Sequence, residues 1–467
     1  MTQEEIAFSD AVALGRLIAK RSISSVELTK LYLARLEKYG ASYGAVVTIM
    51  HERALREARA ADRELAAGMV RGPLHGVPYG AKDLLAAIGA PTTWGAQPYR
   101  DQVFHYDAAV VKKLNAAGAV LCAKLAMVEL AGGFGYNDAD ASFTGPGRTP
   151  WNRAYWSGGS SSGPGAAVAA GLVGFAIGSE TNGSIMVPAA FCGVSGLRPT
   201  YGRVSRHGAM ALMWTSDKLG PICRSARDTQ AVLSAISGSD PNDKTSRDEP
   251  FAPVRGRKPK VAVVKNAAAK SMPAVVKNFE ASLGVLREFC DVTTDVALPK
   301  APYGAVFGAI FNGECASAFR DLIESGRSRE LRSVDDRIGG YQVYGSLAVD
   351  YVDGMRRRAI LNAELMRATA PYDAIVYPTL PTVAYPVGIP FDKAYPDKYS
   401  GEIEMGSPGN LAGLPSISVP SGFGEHGLPT GLALMGRAWG EFQLTQIAKG
   451  YQSRTRFHLQ RPPLHAQ

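Results

Sequence analysis

The sequence predicts an α/β fold: one α/β/α domain in which a mixed, twisted β-sheet is covered by helices on both faces. Three observations support this. Helical and strand-like patterns alternate along the 467-residue chain, the order that gives a mixed sheet with helices packed on either side. The composition, 46% hydrophobic and 20% charged, suits a large buried core and is unlike that of disordered, collagenous or disulfide-rich chains. No fixed-period repeat breaks the alternation, and the longest weakly polar run, GAAVAAGLVGFAIG at 165–178, is too short and glycine-rich to span a bilayer.

Residues 9–39 space apolar and charged positions as two helices, and Ser24 followed by Glu27 supplies a capping box for the second, SVELTKLYLARLEKYG. GAVVTIM (44–50) reads as a short strand and HERALREARAADRELAAG (51–68) as a surface helix, which together make residues 1–70 a helical lead-in. GVPYGAKDLL (76–85) is a mostly apolar strand or turn carrying one lysine, Lys82. The helix VVKKLNAAG (110–118) precedes the β-rich AVLCAKL (119–125), and Pro164 suits the first position of a small-residue helix, GPGAAVAAGLVG. KVAVVK (260–265), DAIVYPT (373–379) and SISVPSGF (416–423) read as buried strands between helical stretches. Residues 237–260 and 394–410 are the two exposed connectors, and strand patterns continue past both, so neither is a domain boundary.

Charge and cysteines narrow the function classes. An excess of 51 Lys and Arg over 42 Asp and Glu gives +9, compatible with an acidic partner such as RNA. The basic residues are dispersed, however, and RGRKPK (255–260) and RRR (356–358) read as a solvated loop and helix face, so no nucleic-acid partner is expected. Cys122, Cys192, Cys223, Cys290 and Cys315 are odd in number and lack a C-x-x-C, so neither a disulfide framework nor a zinc site is signalled. Cys122 and Cys192 sit in apolar surroundings and read as core. A polar, acidic N-terminus unlike a signal peptide points to a cytoplasmic protein without a membrane anchor. No cofactor and no metal are expected, and a homodimer is left open.

The stretch SGGSSSGPG (157–165) puts three serines between glycines. A flexible linker would stay low in complexity, whereas this stretch leads into a helix pattern. A phosphate-binding loop needs Lys-Ser/Thr after its last glycine, and Pro164 stands there instead. Gly159-Ser160-Ser161-Ser162-Gly163 formally matches a G-x-S-x-G nucleophile elbow centred on Ser161, but the preceding TGPGRTPWNRAYW has no strand character. Nor does any downstream histidine (His207, His426, His458 or His465) stand out as a partner. The third arrangement uses a different base and a second serine loop. GSETNGSIMVPAAFCG (178–193) places Ser184 after Gly183, with the backbone N–H groups of Thr181, Asn182, Gly183 and Ser184 able to curl into an oxyanion nest. Lys82, amid apolar and glycine residues, is either desolvated enough to act as a neutral base or simply exposed at a strand end.

Together, GVPYGAKD, GGSSSG and GSETNGSIMVPAAFCGVSGLRPTYGRVSRHG resemble the amidase signature family in order and spacing. The likeness extends to SDKLGPICRSARD (216–228), YPTLPTVAYPVG (377–388) and NLAGLPSISVPSGF…GLPTGLALMG (410–436). The resemblance implies a Ser-Ser-Lys triad of Ser184, Ser160 and Lys82. Ser184 would attack the carbonyl, and its proton would pass through Ser160 to a neutral Lys82 and later return to the leaving amine. A cis peptide bond before Ser160, a signature core over about 71–236, a substrate-shaping region over about 240–372 and a C-terminal sheet region over about 373–467 are implied in the same way.

Three features depart from the common D-T-G-G-S-I-R and G-G-S-S-G-G-S forms. Glu180, Asn182 and Met186 replace Asp, Gly and Arg, which leaves Glu180 without its usual partner; Ser162 and Pro164 replace Gly and Ser. The E-T-x-G-S-I form resembles the branch of peptide amidases and other small-amide hydrolases. Ala209, Met210, Leu212, Met213 and Trp214 either line an apolar acyl pocket or fill core. With the apolar stretches 303–314 and 341–354, they favour aryl or alkyl amides, or carbamates and esters, as the small-molecule substrate. The rival reading is the glutaminase subunit of a tRNA-dependent amidotransferase. That subunit usually carries the D-T-G-G-S form and an acid shortly before N-L-A-G-L-P, where this chain has Ile403 between Glu402 and Glu404.

Overall fold

The computed structural model describes residues 1–252, 257–399 and 406–464. Among these residues eleven strands form one sheet: β1 (Val46–Ile49), β2 (Pro78–Lys82), β3 (Val120–Leu125), β4 (Phe175–Glu180), β5 (Ser195–Arg198), β6 (Lys218–Cys223), β7 (Lys260–Val264), β8 (Asp291–Val296), β9 (Ala374–Pro378), β10 (Ser416–Phe423) and β11 (Pro429–Gly436). They lie in the order β1-β3-β2-β4-β6-β5-β10-β11-β9-β7-β8. Two blocks, β3-β2-β4 and β9-β7-β8, are parallel, and the remaining neighbours pair antiparallel, so the sheet is mixed as expected.

Side chains alternate across a strand, and here both rows are apolar. Leu121, Phe175, Ile177 and Leu219 join one cluster with Leu14, Ile18 and Leu114 from helices. Their neighbours Val120, Cys122, Ala176 and Ile222 join a second with Leu33, Leu36, Ala54 and Val168. Apart from its edge strands β1 and β8, the sheet is therefore buried on both faces, which explains why its inner strands read as continuous apolar runs rather than alternating ones.

The expected elements largely recur. Ser24 caps the helix Ser25–Tyr39, its Oγ accepting from Glu27 N at 3.0 Å while its own N–H donates to Glu27 Oε2 at 2.8 Å. The surface helix runs His51–Ala66, and the strand read at 416–423 is β10. Two expectations need correction. The small-residue helix starts at Ser162 and ends at Ala169, so Pro164 is its third residue; it is tolerated because N–H groups of a first turn have no intrahelical acceptor. The expected loop 394–410 ends in a helix, Gly406–Leu411. All five cysteines are buried and unpaired. No helix among the described residues is long and apolar enough to cross a membrane. His465, part of RGRKPK, and the positions Glu402, Ile403 and Glu404 lie outside the described residues.

Candidate active site

Strands β2 and β4 run parallel side by side, so their carboxyl ends open on the same edge of the sheet, and Lys82 and Glu180 are their last residues. Crevices beyond such strand ends are the usual ligand sites of α/β sheets. Lys82 is fully buried, not exposed at a strand end. Its Nζ donates to Ser160 Oγ at 2.7 Å and to Ser179 Oγ at 2.9 Å. Burial pushes the amine down to about 7, against the upward pull of the Asp217 and Glu180 charges.

Ser160 follows a cis peptide bond from Gly159, and its carbonyl accepts from Val128 N at 3.1 Å. Glycine at 163 is required by a close approach: a Cβ there would lie 2.4 Å from both Ala126 N and Ala45 O. Ser161 has a structural place. Its Oγ donates to Ser179 O at 3.2 Å and accepts from Ser179 N at 3.3 Å, and its N–H donates to Ser184 O at 3.2 Å, tying the two serine loops together. No strand leads into Ser161, and His207 and His426 instead stack on Tyr106 and Tyr155.

The loop between β4 and the helix Met186–Cys192 carries Ser184, which is nearly buried. Gly183 turns it with φ +97°, a conformation costly for other residues. Among the described residues no protein acceptor is paired with the N–H groups of Asn182, Gly183 or Ser184. Thr181 begins the loop, and its Oγ1 donates to Asp217 Oδ1 at 2.6 Å.

Glu180 anchors both ends of this loop. Its Oε2 accepts from Ile185 N at 2.8 Å and Met186 N at 3.0 Å. Its other oxygen accepts from Arg198 Nη1 at 2.8 Å and Asn410 Nδ2 at 3.3 Å. The partner of Glu180 that the sequence left open, with Met186 in place of the usual arginine, is Arg198, two strands away on β5. Burial alone would raise the Glu180 carboxyl, but Arg198 and Lys218 hold it below the usual carboxylate range. The Asn182 carboxamide faces structure, accepting from Asn410 Nδ2 at 3.2 Å and donating to Ser407 Oγ at 3.3 Å. Sequence reasoning missed Ser179, Arg198 and Asn410. Arg198 stands in the quoted GLRPTYGR and Asn410 in NLAGLP, but nothing local marks either as a partner of Glu180.

A cavity of about 30 Å³ adjoins these loops, lined in part by Ser179, Thr181, Met210, Leu212, Trp214 and Asp217. Met210 and Trp214 are thus on its wall. Met213 is not: it is fully buried among Tyr303, Phe307, Ile310 and Leu361. Both charged residues of the lining are occupied. Asp217 Oδ2 accepts from Leu212 N at 2.8 Å and Met213 N at 3.0 Å. Arg206 donates to Tyr201 Oη at 3.1 Å, Thr245 Oγ1 at 3.0 Å and the Trp214 carbonyl.

The family model described as Amidase matches residues 27–445. A glutamyl-tRNA(Gln) amidotransferase subunit of Moorella thermoacetica is 36% identical, covering 98% of this chain and 99% of that protein. Among solved structures, native peptide amidase from Stenotrophomonas maltophilia superposes with a TM-score of 0.83 at 29% identity, covering 98% of each chain. The corresponding amidotransferase subunit of Thermotoga maritima gives 0.78 at 29% identity, covering 95% of each.

Proposed function

The chain belongs to the amidase signature family and is an enzyme acting on amide carbon–nitrogen bonds, and on that premise we propose that it hydrolyses a small, neutral aryl or alkyl carboxamide by acyl transfer to Ser184. The observation that carries the reading is the buried Lys82 amine, held 2.7 Å from Ser160 Oγ and brought to about 7, where an uncharged lysine is available as a base. In the proposed step, Ser184 Oγ bonds to the substrate carbonyl carbon as its proton passes to Ser160, whose own proton moves to Lys82. The N–H groups of Asn182, Gly183 and Ser184, with that of Thr181, receive the oxyanion. The carbon–nitrogen bond then breaks as Lys82 returns a proton through Ser160 to the leaving amine. Water, deprotonated along the same route, releases the acid from Ser184.

Two variants test this. Ser184→Ala is expected to abolish labelling by a fluorophosphonate serine probe, and Lys82→Ala to remove amidase activity at neutral pH; normal turnover by either overturns the assignment. A panel of anilides, primary amides, carbamates and esters resolves the substrate class.

A second reading, a glutamine-hydrolysing subunit working with partner subunits, is favoured by the names of the curated relatives, which cover nearly the whole chain. The names support it more than they support a stand-alone hydrolase. The cavity supports the first reading, since its Arg206 and Asp217 are occupied by protein partners rather than free to hold the charged end of glutamine. Ammonia release from glutamine, with and without added partner subunits, set against turnover of an anilide by the chain alone, separates the two.

A further inference from the structure

In an Asn-Gly pair the glycine nitrogen can attack the asparagine side-chain amide, because glycine sets no side chain beside that nitrogen and lets the backbone turn into the ring. The sequence holds two such pairs, Asn182-Gly183 and Asn312-Gly313. The structure separates them. Asn312 and Gly313 lie inside the helix Tyr303–Ala318, where N–H groups beyond the first turn are spent on carbonyls four residues back and the chain cannot rotate without breaking the helix. Gly183 instead sits in the Ser184 loop at φ +97°, its N–H has no protein acceptor among the described residues, and Asn182 before it is exposed. The Asn182 carboxamide is lightly held. Its bonds to Asn410 and Ser407, at 3.2 and 3.3 Å, are at the long end for N–H···O contacts. The N–H that Asn410 gives to Oδ1 also draws electron density from Cγ, the carbon under attack. Nucleophile and electrophile are thus neighbours in one chain, and a rotation is enough to bring them together.

We propose that Asn182-Gly183 is a self-modification site, at which Asn182 converts to aspartate and isoaspartate and the enzyme is inactivated as it does so. Gly183 N bonds to Asn182 Cγ, the Cγ–Nδ2 bond breaks, and Nδ2 leaves as ammonia with the Gly183 proton, which closes a cyclic imide. While the imide stands, Gly183 has no N–H to give an oxyanion. Water then opens the ring, its hydroxyl going to Cγ or to the Asn182 backbone carbonyl carbon and its proton to Gly183 N. The first opening leaves aspartate, a negative charge beside the oxyanion position. The second leaves isoaspartate, whose main chain now runs through Cβ and Cγ and is one atom longer just before Ser184, so the donors of Gly183 and Ser184 lose their aim. The loss of activity rests on the acyl-transfer reading above, whereas the modification does not, so the two are measured separately. Wild type and Ser184→Ala are incubated in mildly alkaline buffer, and peptides spanning 182 and 312 are followed by mass and by isoaspartyl methyltransferase labelling. The amide-to-acid mass gain and the label are expected to accumulate at 182 in both proteins and not at 312. Anilide turnover by wild type is expected to fall in proportion to the converted fraction, while Asn182→Gln, whose longer side chain closes a ring far less readily, keeps its own starting activity over the same time. No conversion at 182, or equal conversion at 312 in the folded protein, overturns the site. Conversion at 182 with turnover unchanged overturns the inactivation. Conversion at 182 in a wild type that never turns over an anilide overturns the acyl-transfer reading and leaves the modification site standing.

Discussion

Titrating Lys82 is the sharpest test of the proposed chemistry. An ordinary lysine, at 10.5, is neutral in about one molecule in 3,000 at pH 7. Buried beneath Ser160 and Ser179, Lys82 is brought to about 7, so about half of the molecules carry the base form at that pH. If the neutral amine starts the reaction, kcat/KM for an anilide rises through pH about 7, reaches a plateau above about 8 and falls about tenfold per unit below about 6. Initial rates of 4-nitroacetanilide hydrolysis at constant ionic strength read this directly. Lys82→Arg, whose guanidinium keeps its charge, is expected to be inactive across the whole range. A flat profile between pH about 5.5 and 8.5, or a limb centred near 10, would refute the reasoning. The same shift bears on stability. With the folded value near 7 and the unfolded value near 10.5, the unfolded chain binds more protons between those limits, so stability rises with pH across that window and is lowest below it. The full penalty is roughly 5 kcal/mol, which Lys82→Met removes less the cost of leaving two serine hydroxyls without their donor.

Arg198→Met removes the guanidinium bonded to the buried Glu180 carboxylate and is expected to destabilise by about 3–5 kcal/mol in urea unfolding. Asn410→Ala removes the amide shared by Glu180 and Asn182; kcat is expected to fall about tenfold with KM nearly unchanged, because the loop rather than the substrate pocket loses its hold. Ser161→Ala, which touches only the Ser179 backbone, is expected to keep activity within about threefold, and full loss would restore the elbow reading. Asp336 is fully buried against Glu129, and burial first, then the Glu129 charge, raises its carboxyl well above the ordinary range. The folded chain then holds a proton that the unfolded chain releases above about pH 4, so stability falls as pH rises; Asp336→Asn is expected to flatten that fall between about pH 5 and 8 in denaturant midpoints.

What the sequence disclosed was local. Lys82, Ser160 and Ser184 each stand in a glycine-rich motif whose resemblance to the family's singled them out, and the structure brings Lys82 and Ser160 into contact. The capping box of Ser24 and Glu27 is likewise complete within four residues. Arg198 was silent because its bond to Glu180 crosses from β5 past β6 to β4, a relation fixed by strand order rather than by spacing. Strands β4, β5 and β6 are at most six residues long, contain glycines and are buried on both faces, so they lacked a period to betray them. Met213 and Trp214 looked alike as apolar neighbours; only packing sends one into the core and the other to the surface.

The bond from Asn410 to Glu180 joins residues 230 apart in sequence. Closing so long a loop is slow and entropically costly during folding. The Ser184 loop is held through Glu180 from one side by Arg198 on β5 and from the other by Asn410 on the helix Gly406–Leu411, so a nascent chain that stops short of that helix has Ser184 without the second hold. Recovery of hydrolysis during refolding should therefore trail recovery of helical structure, and catalytic competence becomes a late report that these two distant segments have met.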